Sequence, residues 1–167
     1  MLARWSGWGS LPGIFDEHDN RWAVTRAELR SLLDDTEWAA ARRTTLNAHY
    51  TSAEVIDAMW HAVSELGFTG GTALEPGCGS GNFIGLTPPA LDVAWTGVEL
   101  DPLTARITQA LYPHAEIRAE SFADTRIPDG SVDLTIGNVP FVFWGSETVA
   151  LWARERPVVG LNVIPPA

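Results

Sequence analysis

The sequence predicts an α/β fold built on a parallel sheet. Three observations carry that prediction. Residues 72–74, 93–98, 115–118 and 132–136 read as short strands. Helical segments separate the early ones, and a glycine-rich loop follows the first strand directly. The order strand, glycine loop, helix, strand, helix, strand calls for right-handed crossovers between parallel neighbours.

Composition agrees with one soluble globular domain. The chain has 167 residues, 46% of them hydrophobic and 19% charged, enough to bury a substantial core. No apolar run approaches the length of a bilayer span, and the opening MLARWSGWGS lacks the apolar stretch of a secretory signal. A cytoplasmic protein with no membrane partner is the expectation. The single cysteine, Cys78, excludes an internal disulfide and a cysteine-based zinc site. His18, His61 and His114 show no ligand spacing, so no metal site is expected. A net charge of -10 argues against a surface devoted wholly to nucleic acid, because phosphate binding rests on clustered positive charge. A local patch remains compatible with it.

Residues 1–46 read as an irregular arm followed by helices. Thr25 and Glu28 have capping-box spacing ahead of a short helix over 27–35, and residues 37–47 form a second. Residues 47–141 form the core. Thr51 and Glu54 repeat the capping-box spacing, and Val55, Met59, Ala62, Val63 and Leu66 then recur at helical intervals until Gly67. Pro102 starts a helix that runs to Leu111. In the divergent tail, 142–167, residues 146–156 suit a helix and 158–164 a short strand.

The chemistry concentrates in LEPGCGSGNF, residues 74–83. Gly77, Gly79 and Gly81 allow a sharp turn and close approach of a ligand to the backbone. Taken alone, they also suit an ordinary strand-to-helix turn. Glu75 beside the loop repels a phosphate and attracts a cation, and no Gly-Lys-Ser/Thr ending is present. The sulfonium and amino groups of S-adenosylmethionine fit that field. The second strand ends in GVELDP, so Glu99 stands about twenty residues beyond the loop, where nucleoside-binding α/β folds place an acid for the ribose hydroxyls.

These residues resemble the class I, Rossmann-like methyltransferases. LEPGCGSGNF is similar to that family's first motif, which implies cofactor contacts from Glu75, Pro76, Gly77, Cys78, Gly79, Gly81, Asn82 and Phe83. GVELDP is similar to the second, implicating Glu99 and Leu100. GNVPF, residues 137–141, resembles the Asn-Pro-Pro-Tyr/Phe motif of enzymes that methylate planar amino or amide nitrogens, notably the exocyclic nitrogen of adenine. NAHYTS, residues 47–52, resembles the segment that closes over the methionine part of the cofactor in DNA amino-methyltransferases, and implicates His49, Tyr50 and Thr51. Phe122 falls where the family packs an apolar side chain on the cofactor's adenine ring. Ser121 stands where an acid often precedes it.

The resemblance implies a mechanism. A flipped adenine presents its amino nitrogen to the methyl group, Asn138 and the carbonyl of Val139 accept hydrogen bonds from that amino group, Pro140 holds Val139 extended, and Phe141 stacks on the base. Val139 replaces the usual proline. The arm and the helix before NAHYTS resemble a narrower group, large phage and plasmid proteins that join an adenine DNA methyltransferase to a helicase, so DNA and a helicase domain or partner are the implied partners. The resemblance ends at Phe141. A class I sheet has seven strands, and the sequence shows four to five, so an incomplete sheet with an exposed apolar edge is expected unless the tail covers it. Two other functions stay open: methylation of a protein glutamine or an RNA base, and a catalytically inactive cofactor-binding or regulatory fragment.

Overall fold

The computed structural model describes residues 7–11, 13–45, 50–138 and 158–160. Helices α1 (Ala23–Leu32) and α2 (Asp35–Thr44) follow an arm that contains two 3-10 turns, Trp8–Ser10 and Asn20–Trp22. The rest runs α3 (Ala53–Glu65), β1 (Gly70–Pro76), α4 (Asn82–Gly85), β2 (Asp92–Glu99), α5 (Pro102–Leu111), β3 (Glu116–Ala119), β4 (Leu134–Gly137) and β5 (Val158–Gly160).

Helix starts differ from the sequence expectation, and local hydrogen bonds explain why. The Asp19 side chain accepts the Arg21 N–H at 3.1 Å and caps the 3-10 turn that leads straight into α1. The helix therefore begins upstream of Thr25, which lies inside it without capping. A capping box does form further on. The Glu37 N–H donates to Asp34 Oδ1 at 2.8 Å, and the Asp34 N–H donates to Glu37 Oε2 at 3.2 Å, so α2 starts at Asp35. Ser52, not Thr51, occupies the N-cap of α3.

The buried face of α3 is also rotated from the expected one. Ile56, Met59, Trp60 and Val63 are buried, whereas Val55 and Leu66 are 37% and 74% exposed. Trp60 decides the rotation because it is the largest side chain on the helix. Its ring meets Trp95 edge-on at 5.9 Å and Phe68 at 6.4 Å, and the rest of this core comes from Ala73, Phe83, Ile84, Ala115, Leu134 and Ile136.

The five strands among the described residues are all parallel, in the order β3-β2-β1-β4-β5. The strand expected over 158–164 is present at Val158–Gly160, paired with β4 through Ile136 and Val159, so part of the tail covers the apolar edge of β4. The strands expected at 72–74 and 93–98 extend to Gly70–Pro76 and Asp92–Glu99, and the fourth starts at Leu134, just after Asp133, whose side chain accepts the Thr72 N–H at 2.9 Å. The helix after the glycine loop is a single turn, shorter than a usual crossover helix. The helix expected over 146–156 lies outside the described residues. No helix among the described residues is long and apolar enough to cross a membrane.

Trp60→Ala should lower the unfolding free energy by about 3–5 kcal/mol, read from the urea midpoint at constant slope. A loss below about 1 kcal/mol would contradict the central place given to this indole.

Candidate functional site

Strand order places the site before any side chain is considered. The chain steps outward from β1 to β2 and β3, then returns to the other side of β1 as β4. At such a reversal the segments leaving neighbouring strands diverge and open a crevice at their carboxyl ends. Glu75 to Gly81 leave β1 there, and Gly137 and Asn138 end β4 beside them. A Cβ on Gly137 would stand 3.4 Å from both Glu75 Cγ and the Pro76 carbonyl.

The glycine loop is held from two directions. Gly77, Gly79 and Gly81 have φ of 65°, 54° and 76°, the left-handed region that a side chain disfavours. The Gly79 N–H donates to Glu99 Oε2 at 2.9 Å, and the Gly79 carbonyl accepts from the Thr108 hydroxyl at 2.5 Å. Strand β2 and helix α5 thus fix the two sides of one glycine. Glu99 is itself oriented by the Asp101 N–H, which donates to Oε1 at 2.8 Å. The Cys78 N–H donates to the Val98 carbonyl at 2.9 Å, and its thiol is buried against Gly97, where a Cβ would lie 2.9 Å from the sulfur. Burial and the neighbouring Glu75 push that thiol's pKa up, so Cys78 is a packing residue and a poor nucleophile.

Two acids dominate the electrostatics. Glu75 is 3% exposed, and its Oε2 has no hydrogen-bond partner among the described residues. Burial, with Glu99 adding repulsion, raises its pKa well above 4.5. Burial also raises that of Glu99, against the opposing effect of the N–H groups of Asp101 and Gly79. Tyr50 lies over the same loop. Its ring would stand 3.1 Å from a Cβ on Gly79, and burial followed by the Glu99 charge raises its pKa. Such a pocket of buried acids, with an acceptor left over, suits a cationic or hydrogen-bond-donating ligand.

No protein-family profile and no curated protein sequence matches the chain. Solved structures do. A dimethyladenosine transferase from Plasmodium falciparum superposes with a TM-score of 0.51 at 18% identity, over 65% of this chain and 39% of that one. The fold is that of the class I methyltransferases. An S-adenosylmethionine-dependent methyltransferase from Methanococcus maripaludis matches over 62% of this chain and 54% of its own, with 16% identity and a TM-score of 0.48. For geranyl diphosphate C-methyltransferase from Streptomyces coelicolor the values are 49%, 33%, 22% and 0.42. The chain therefore spans about half or less of the length of these structures.

Within this class I methyltransferase fold, Glu75, Pro76, Gly77, Cys78, Gly79, Gly81, Glu99 and Tyr50 gather at the carboxyl ends of β1 and β2, and Asn138 directly follows the last residue of β4. Asn82 joins them by donating to the Thr51 carbonyl at 3.4 Å, while Phe83 turns into the core. Leu100 is 44% exposed beside Glu99. Ser121 and Phe122 form a turn just beyond β3, whose last residue, Ala119, pairs with Glu99. His49, Val139, Pro140 and Phe141 lie outside the described residues.

Two residues of this candidate site were not singled out from the sequence. Thr108 supplies the second hold on Gly79. Tyr112 packs on the loop's exit, where a Cβ on Gly81 would stand 2.7 Å from its ring and one on Gly85 would strike its hydroxyl. The available signal was a threonine pair, Thr104 and Thr108, on an otherwise apolar helical face.

The raised Glu75 pKa has a definite sign in stability. Between the ordinary carboxyl value of 4.5 and the raised one, the folded state holds a proton that the unfolded state has lost. Ligand-free protein should therefore lose stability as pH rises, by up to about 1.4 kcal/mol per pH unit from this group. Denaturant titrations from about pH 5 to about pH 8 should show a shallower fall in Glu75→Gln than in the unaltered chain. Parallel profiles would contradict this reading.

Proposed function

We propose that the chain is the cofactor-binding part of an S-adenosylmethionine-dependent methyltransferase whose acceptor is the exocyclic amino nitrogen of adenine in DNA. The observation that carries the cofactor reading is the buried, unpartnered Glu75 Oε2 beside a loop whose three glycines have positive φ. A Cβ on any of them would narrow the approach of a ligand to the backbone, and the acid offers an acceptor to a cationic amino group.

The residues fit the cofactor in three ways. Glu75 attracts its positive charge, and Glu99, at the tip of the neighbouring strand, accepts from the ribose hydroxyls with the lone pairs that Gly79 and Asp101 leave free. Leu100 and Phe122 offer apolar surface to its adenine ring. When bound, S-adenosylmethionine supplies an electrophilic methyl group on a sulfonium. The names of the similar structures agree with that chemistry.

For the acceptor, the support is Asn138 in the sequence GNVPF, directly after Gly137, the last residue of β4, which lies against Glu75 and Pro76. Its carboxamide oxygen accepts a hydrogen bond from the target amino group and turns the nitrogen lone pair toward the transferable methyl. Residues 139–141 complete the motif by resemblance, with Phe141 stacking on the flipped base. We assign the phosphate contacts to a helicase-type domain or partner, a reading with which the chain's net charge of -10 agrees.

Incubation with radiolabelled cofactor should place label on adenine in duplex DNA in preference to RNA or a glutamine-containing peptide. Asn138→Ala should reduce that rate on the order of a hundredfold while leaving cofactor affinity unchanged. Label in RNA or peptide would overturn the DNA assignment. Cofactor binding without turnover on any of the three would instead identify a binding module.

A further inference from the structure

We infer that Trp8, in the amino-terminal arm, is a positioning residue for the ribose-binding carboxylate of Glu99, acting through Asp101. This inference rests on the cofactor reading above.

The arm reaches the site through a short polar relay. The Trp8 indole N–H donates to Asp101 Oδ2 at 3.1 Å, across 93 positions of sequence. Asp101 is 1% exposed, and its main-chain N–H donates to Glu99 Oε1 at 2.8 Å. The other oxygen of Glu99 holds the Gly79 N–H at 2.9 Å. One side chain of the arm is therefore linked, through two acids, to the middle of the glycine loop.

Helix capping alone does not require the indole. Asp101 caps α5 through the Thr104 N–H at 3.2 Å and the Thr104 hydroxyl at 2.6 Å, both on the oxygen that Trp8 also uses. The other oxygen, Oδ1, is buried with no hydrogen-bond partner among the described residues. A buried carboxylate loaded on one oxygen gains by rotating toward any new donor, and the indole opposes that rotation. With Asp101 fixed, the Glu99–Asp101 turn is fixed, and Glu99 keeps both oxygens on its two N–H donors.

The arm is built to hold the indole in place. Trp8 packs edge-on against Phe15 at 5.4 Å, and Phe15 against Trp38 of α2 at 4.9 Å. Ile14, Ala41 and Leu103 belong to the same second core, which joins the arm and α2 to α5. Glu37 and Arg106 bridge the same two helices at 2.5 Å.

The test is calorimetric titration with S-adenosylhomocysteine and with its analogue lacking both ribose hydroxyls. Trp8→Phe keeps the ring and removes the donor. It should weaken S-adenosylhomocysteine binding about tenfold and change binding of the analogue less than about twofold, because the penalty passes through Glu99 and the ribose. Asp101→Ser retains a helix cap but is too short to reach the indole, and should show the same split should Trp8→Phe fail to fold. Equal losses for both ligands, or no loss for either, would overturn the role of Trp8 while leaving the cofactor reading intact. No binding of S-adenosylhomocysteine by the unaltered chain would overturn both.

Discussion

The hydrogen bond from the Gly79 N–H to Glu99 is the contact on which the site depends. It ties the loop after the first strand to the tip of the second, so the loop's shape is set by the sheet and not by the loop alone. An N–H donated to a carboxylate in a poorly hydrated crevice is stronger than a neutral pair and is costly to lose. Thr108 takes the opposite side of the same glycine. A residue that would be among the most mobile in a chain becomes a fixed point between β2 and α5.

That fixed point comes with unfavourable burial nearby. Glu75 is buried, raised in pKa and left with an unpartnered oxygen. Glu99 is also destabilised by burial, and their charges repel. Folding would gain from an apolar residue at Glu75, as it does when buried charges are replaced by well-packed side chains, whereas Glu99 offsets part of its burial through the N–H groups of Gly79 and Asp101. The arrangement makes sense as ground prepared for a ligand that brings positive charge and hydroxyl donors. The core around Trp60, Trp95 and Phe83 supplies the stability that such a site gives up.

Much of this was legible in the sequence for a physical reason. Glycines at 77, 79 and 81, an acid at 75 and an acid at 99 are constraints of backbone geometry and charge, and those are written locally. The four strands of the core were visible through their β-branched and apolar runs. What escaped depends on contacts distant in sequence or on choices between near-equal local options. The face of α3 could be drawn through Val55 or through Ile56, and only the packing of Trp60 on Trp95 selects the second. Thr25 offered a capping box for the first helix, but the 3-10 turn held by Asp19 decided where α1 begins, and the capping box that forms is that of Asp34 on α2. Trp8 meeting Asp101, and Thr108 meeting the Gly79 carbonyl, are pairings that no local pattern announces.

Amide hydrogen exchange at Gly79, followed by two-dimensional NMR of the ligand-free chain, tests the centre of this picture most directly. The amide should exchange slowly in the unaltered protein, and its protection should fall by at least about tenfold in Glu99→Ala, with the amides of the Trp60 core unaffected. A Gly79 amide that exchanges freely in the unaltered chain, or that keeps its protection without the Glu99 carboxylate, would contradict it.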